Sequence, residues 1–147
     1  MIKTSEITAA FDRVVIGWGK LFPAFSLGWQ NSGNDSLQDA SGWIAFPSHI
    51  PAPSISGDIQ GLTLDKRGIY QIVLRSPLQS GTRTLDDAAD ALVEAFNAAM
   101  FTGGNCANID GDLLRLTSPA SVGASYTDEA GRHVAVTMNY RIYNAGG

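Results

Sequence analysis

The sequence is poor in the residues that most active-site chemistry uses. It holds one cysteine, Cys106, and two histidines, His49 and His133. A single cysteine excludes an intramolecular disulfide and any cysteine-based metal cluster. No His and Asn partner pattern surrounds Cys106, so it reads as a small buried or loop thiol. Charge is sparse: 16% of residues are charged, ten Lys/Arg are outnumbered by fourteen Asp/Glu, and the net charge is −4. Without a basic surplus, sequence-independent affinity for nucleic acid is expected to be weak. No stretch approaches the roughly 18 apolar residues that span a bilayer. The opening segment MIKTSEITAAFDRVVIGW is interrupted by Glu6, Asp12 and Arg13, which argues against a signal peptide and for folding in a cytoplasm.

The familiar catalytic signatures are missing as well. There is no G-x-S-x-G and no H-E-x-x-H. The Gly103-Gly104 pair does not follow a strand or open a helix, so it does not form a phosphate cradle. Asp110-Gly111-Asp112 lacks the further oxygen ligands and closing Glu of a calcium loop, and reads as a turn between a helix and a strand. His49 and His133 each fall in or beside a strand, where a lone histidine is usually solvated or hydrogen-bonded rather than a base. No catalytic residue, cofactor site or metal site is expected.

What the chain does contain is patterning. A length of 147 residues suits one domain, residues 1–147, large enough to bury a core. Sixteen glycines and six prolines imply many turns, hence a β-rich fold with long loops. A first helix is expected over Thr4 to Ile16, capped by Thr4 or Ser5 with Glu6 in its first turn. Ile7, Phe11, Val14, Val15 and Trp18 fall on one stripe. Gly17 and Gly19 would end that helix. Strand character follows at Ala24 to Trp29 and at Trp43 to Ile50, where Pro47 suggests a sheet edge or a strand end. The aromatics Trp18, Phe22, Phe25, Trp29, Trp43 and Phe46 are expected mostly in a core between helix and sheet.

Ile69 to Ser76 alternates, with Tyr70, Ile72 and Leu74 on one side and Gln71, Val73 and Arg75 on the other. Pro77 stops the strand. A second helix begins with Thr84 as its cap and Asp87 at the third position, a variant capping box. Leu85, Ala88, Ala89, Leu92, Phe96 and Ala99 form its apolar stripe, with Val93 beside it. Gly103 and Gly104 end it. Leu113 to Thr117 is a short strand. In His133 to Tyr143, Val134, Val136, Met138, Tyr140 and Ile142 oppose Ala135, Thr137, Asn139 and Arg141. One polar face suggests a sheet covered on one side. Asp128 to Gly131 is expected as the hairpin turn between these last strands. The order α-β-β-β-α-β-β predicts an α+β fold, with two helices on one face of a largely antiparallel or mixed sheet and long polar loops.

Three polar regions are the candidate contacts. Gln30 to Gly42 is nearly devoid of apolar residues and too polar to order itself alone. Pro51 to Arg67 is turn-rich, with Ile55 to Leu64 as a loose hairpin arm. Asp87, Asp90 and Glu94 form an acidic strip on the second helix with no Lys or Arg four residues on. Such a strip is either a solvated face or half of a charge-complementary interface.

The stretch Gly68-Ile69-Tyr70-Gln71-Ile72-Val73-Leu74, then Pro77, Ser80-Gly81-Thr82, Ala88-Ala89-Asp90 and Phe96, resembles the tail terminator (tail completion, minor tail) proteins of long-tailed bacteriophages. The family pattern is G-x-Y-Q-h-x-h, with h apolar, a proline, a small-residue loop and an alanine-rich helix ending in Phe. The amino-terminal helix followed by a Trp and a polar loop also fits, as does a final hairpin with Val122-Gly123 and a last strand ending near Tyr140. The resemblance covers most of the chain; the Gln30–Gly42 loop and the polar tail after Tyr143 depart from it. It implies a non-enzymatic virion tail protein, assembled in the host bacterial cytoplasm. Its copies would form a ring, typically a hexamer, on the tail tube, and the resemblance allows a monomeric free chain. Its partners would be the major tail tube protein and the head-tail connector, with DNA only passing through the lumen and no membrane contact. Candidate subunit or tube contacts are Asn31, Asp35, Gln38 and Asp39 in the first loop, Asp58, Gln60, Lys66 and Arg67 in the arm, and Asp87, Asp90 and Glu94 on the helix. A ring requires two different patches of one subunit to meet. The competing readings are a small binding or adaptor domain that forms no ring, and an enzyme motivated by His49, Cys106 and the acidic strip.

Overall fold

The alternation of Tyr70, Ile72 and Leu74 with Gln71, Val73 and Arg75 becomes one strand of a mixed sheet. The computed structural model describes residues 3–29, 42–52, 55–56, 64–78, 83–109 and 111–144. In chain order these form α1 (Thr4–Leu21), β1 (Ser26–Leu27), β2 (Ile44–Pro51), β3 (Ile55–Ser56), β4 (Leu64–Asp65), β5 (Arg67–Ser76) and α2 (Arg83–Met100). A 3-10 turn (Thr102–Gly104) leads to β6 (Ala107–Ile109), β7 (Asp112–Leu116), β8 (Ser121–Val122), β9 (Tyr126–Asp128) and β10 (Gly131–Asn144). The fold is α+β, helix first, as the sequence predicts.

The eight-stranded sheet runs β1-β2-β5-β10-β7-β6, with β8 and β9 also paired to β10. The β1–β2 pairing is parallel, and the other pairings are antiparallel. β10 is the spine: β5 lies along one side of it from Arg132↔Ser76 to Arg141↔Arg67, and β9, β8 and β7 follow one another along its other side. β3 and β4 pair separately, which is the base of the hairpin arm expected at Ile55 to Leu64; the tip of that arm lies outside the described residues. Pro47 sits inside β2 opposite Ile72. There β1 has already ended, so the proline occupies an edge position and its missing N–H costs no ladder bond.

The core lies between the two helices and one sheet face. Ile7, Phe11, Val15 and Trp18 of α1 meet Leu85, Ala88, Ala89, Leu92 and Phe96 of α2 over Tyr70, Ile72, Leu74, Val134, Val136, Met138 and Tyr140. Phe11 is its hub, stacked on Tyr70 (4.6 Å between centroids, 9° between planes) and tilted against Tyr140 and Phe96 at 5.4 and 5.7 Å. The early aromatics divide: Trp18 and Phe25 are buried, Phe22, Trp29 and Trp43 pack partly against the core, and Phe46 lies on the other face of the sheet beneath the Arg75 guanidinium.

Several boundaries differ from expectation, each for a physical reason. α1 does not stop at Ile16; it runs through Gly17 and Gly19 to Leu21. The roughly 1 kcal/mol that each mid-helix glycine costs is offset by Trp18, which is buried and donates its indole N–H to the Ala88 carbonyl at 3.0 Å. The helix is entered from Lys3 rather than capped by Thr4 or Ser5, and Glu6 accepts the Lys3 N–H at 3.4 Å. Thr84 lies inside α2, which already includes Arg83. Gly111, with φ of +90°, turns between β6 and β7 and not between a helix and a strand. The Asp128–Gly131 turn joins β9 to β10, and the residues between Leu116 and Tyr126 supply β8.

The sheet face away from the helices is not uniformly open. At one end Ile50, Arg67, Ile69, Asn139 and Arg141 are exposed, whereas at the other Ile44, Arg75 and His133 are buried. Phe46 under Arg75 at 5.5 Å and Tyr126 stacked on His133 at 4.6 Å account for part of that cover.

Candidate assembly interface

The described residues hold two polar clusters, one between α1 and the sheet and one at the β9–β10 hairpin, and charged strips on α2 and on the sheet. The first cluster threads from α1 into the sheet. Thr8 Oγ1 donates to the Thr4 carbonyl at 3.1 Å and lies 2.6 Å from His49 Nδ1. His49 Nε2 contacts the Tyr140 hydroxyl. With its proton given to Thr4, Thr8 must accept from Nδ1–H, so a neutral His49 accepts at Nε2 from Tyr140. Burial depresses the His49 pKa, which favours this neutral ring. Burial also pushes the Tyr140 hydroxyl up to about 12, which keeps the donor protonated. Tyr70, beside this chain, donates to Asp12. Its pKa rises through burial and through the Asp12 carboxylate. Asp12 is itself raised by burial, against the lowering effect of the Tyr70 bond. Thr4, Thr8, Asp12, His49 and Tyr70 border a cleft of about 310 Å³ that also includes Trp29, Pro47, Ser48 and Pro51.

The arrangement makes His49 a structural strut with a pH consequence. Its folded pKa lies below its unfolded value of about 6.5. The unfolded chain therefore binds a proton that the folded chain refuses, and stability falls as pH drops below about 6.5. Asp12, with a raised pKa, acts oppositely and nearer the carboxylate range. A melting series from pH 7.5 to 5 is expected to decline in the wild type and to flatten in His49→Gln; parallel curves would mean that His49 titrates normally.

Gly68 is required beside the same cluster. A Cβ there would lie 2.7 Å from the Ile50 carbonyl oxygen and 2.7 Å from the Tyr140 hydroxyl. The first position of the G-x-Y-Q motif is thus the clearance that lets Tyr140 reach His49. The second cluster is at the β9–β10 hairpin, where His133 Nε2 meets Asp128 Oδ1 at 2.9 Å and lowers the Asp128 pKa, helped by the Ala130 N–H. Both ring nitrogens of His49 are engaged, one by Thr8 and the other by Tyr140. Among the described residues, no group of three or more His, Cys, Asp and Glu is arranged to hold a metal ion. Nor is any described helix long and apolar enough to cross a membrane.

The predicted contact residues separate into three sets. Asn31, Asp35, Gln38, Asp39, Asp58 and Gln60 lie outside the described residues. Lys66 and Arg67 stand where the arm rejoins the sheet: Lys66 is half-buried and its carbonyl accepts the Ile142 N–H at 2.9 Å, and Arg67 is exposed at the start of β5. Asp87, Asp90 and Glu94 are exposed on α2, and none of them forms an ion pair with a described residue. Their neighbour Asp86 does, with Arg132 at 3.3 Å. That exposed pair fastens the start of α2 to β10 and contributes at most about 1 kcal/mol.

Pairing register brings three arginines together that lie far apart in the sequence. Arg67 of β5 lies opposite Arg141 of β10, and Arg141 lies opposite Arg115 of β7. Three arginines thus stand in one row across the sheet, on the face away from the helices. Alternation within each strand gives the face of each arginine. The row depends on how three strands align, which no single segment encodes. A groove of about 510 Å³ opens beside it, lined by Arg67, Ile69, Asn139, Arg141, Thr117 and Ser118 among others.

Residues 6–140 match the family model described as phage tail terminator protein. No curated protein matches the chain. One solved structure without a functional title is 25% identical, has a TM-score of 0.74, and is matched over 97% of this chain and 96% of that one. The match therefore spans both chains nearly end to end and reproduces the helix-first α+β architecture. With its two helices, its mixed sheet and the Gly68–Phe96 segment all inside the matched span, the chain belongs to the phage tail terminator family, a family of structural tail proteins.

Proposed function

We propose that this protein ends polymerisation of the tail tube by forming a ring on its head-proximal end, and that the ring then presents a surface to the head-tail connector. The family match over residues 6–140 carries this reading. The physical features agree with it. The domain has a closed core, polar surface strips of opposite sign on its two sides, and an arm that leaves the sheet between β2 and β5. A hexameric ring, assembled in the host cytoplasm, is the expected form, and the free chain stays monomeric until the tube offers a template. The tube protein and the connector protein are its partners. With a net charge of −4, a ring of such subunits repels phosphate and lets DNA slide through its lumen without specific binding.

Inactivating the gene tests the reading in the virion. Electron micrographs of lysates are expected to contain free heads and tails of abnormal length; normal virions in normal numbers would refute the role. Within the protein, shortening the segment Asn31–Ala40 is expected to leave melting and circular dichroism unchanged while it impairs attachment to tail tubes. Loss of folding on that deletion would make the segment part of the core.

A further inference from the structure

The cleft beside α1 holds a carboxylate that no described residue neutralises. Asp12 is half-buried and accepts a hydrogen bond from the Tyr70 hydroxyl on one oxygen. That is its one hydrogen bond with a described residue, and no described Lys or Arg pairs with it. Taking an ionised carboxylate partly out of water is unfavourable unless a cation or several donors meet it. Burial accordingly raises the Asp12 pKa, against the lowering effect of the Tyr70 bond. Its second oxygen is left for whatever enters the cleft.

The remaining lining selects the charge and shape of the occupant. Among the described residues, no Lys or Arg borders the cleft, and His49 is neutral with both ring nitrogens engaged. An anion therefore finds no counter-charge. A calcium-like ion takes roughly six to eight oxygens, whereas Asp12 is the one carboxylate among the described residues there. A neutral apolar ligand would strip water from Asp12 and leave it unpaired.

A basic side chain meets these conditions. Thr4, Thr8 and Asp12 fall at i, i+4 and i+8 and run about 12 Å along one side of α1. Trp29, Pro47 and Pro51 supply an apolar border. The alkyl stem of an arginine or lysine can lie along such a border while its head reaches a carboxylate. The Thr4 hydroxyl, which bonds to no described residue, offers a second acceptor. At about 310 Å³ the cleft is at the small end of ligand sites, with room for one side chain rather than a cofactor.

We propose that this cleft is a socket for one basic side chain of a partner protein, with Asp12 as its counter-charge. The socket belongs to the single chain and does not depend on ring formation.

Nuclear magnetic resonance titration of the isolated chain tests it, with Nα-acetyl-arginine amide and Nα-acetyl-lysine amide as probes and the citrulline analogue as a neutral control. The basic probes are expected to give saturable amide shifts at Thr8, Asp12 and Ser48. The citrulline analogue should bind about 10-fold more weakly or worse, since it lacks the charge. Asp12→Asn keeps an acceptor for Tyr70 and removes the charge, so it should weaken the basic probes by a similar factor with circular dichroism unchanged. Four results would each overturn the proposal: no saturable shift at the cleft, equal binding of citrulline, undiminished binding by Asp12→Asn, or shifts confined to the exposed acidic strip of α2. If Asp12→Asn misfolds, the citrulline comparison in the wild-type chain decides alone. Adding tail tube protein, or raising the chain's own concentration, then identifies the partner: the one that reproduces the cleft shifts carries the basic side chain.

Discussion

Phe96→Ala is expected to lower the unfolding free energy by about 3–5 kcal/mol, roughly 10 °C or more in melting temperature for a domain of this size. Phe96 is fully buried. Its ring lies 5.7 Å from that of Phe11 and 6.1 Å from that of Tyr70, so it joins α2 to α1 and to the central sheet at one point. Removing it loses the transfer energy of the ring. It also leaves a cavity that two helices and a sheet cannot all collapse to fill. The effect should be read by thermal or urea unfolding with the native fold verified. Wild-type-like melting would mean that α2 is held by something other than this aromatic contact.

Gly131→Ala is the second large effect, and its cause is backbone geometry rather than lost contact. Gly131 begins β10 with φ of +142°, a conformation that side chains rarely adopt. A Cβ there would stand 2.0 Å from the Ser76 carbonyl oxygen, an atom of the neighbouring strand that cannot swing aside. Overpacking costs about 1–3 kcal/mol, and a disfavoured backbone conformation adds about 1–3 kcal/mol. The variant should melt well below wild type. Arg132, His133 and their partners Asp86 and Asp128 flank this turn, so hydrogen exchange should accelerate first in the β9–β10 hairpin. An unchanged melting temperature would mean that β5 and β10 separate at this end at little cost.

The parts of the fold legible in the sequence were those with long, regular periods. The α1 and α2 stripes, the alternation of Tyr70, Ile72 and Leu74, and that of Val134 to Tyr140 all became the buried surfaces they predicted, because burial of one face enforces the period. β6, β8 and β9 were not read as strands, since segments of two or three residues have no measurable period. Gly17 and Gly19 misled in the opposite direction: local propensity favoured a stop, and the burial of Trp18 against Ala88 overrode it. The candidate contacts were half legible. Asp87, Asp90 and Glu94 share a helix face that residue spacing alone reveals. Arg141 and Arg115 join Arg67 only through strand register, and in the Thr8–His49–Tyr140 chain the His49–Tyr140 link alone spans 91 positions. Information of that kind resides in tertiary pairing, not in any window of the sequence.

Whether the protein stops tube growth is directly measurable. Purified tube protein should be polymerised with and without this chain, and tube lengths measured by electron microscopy. With the chain present, tubes are expected to stop elongating and to carry a ring of added density at one end. Tubes that grow to the same lengths in its presence, with bare ends, would contradict a terminating role.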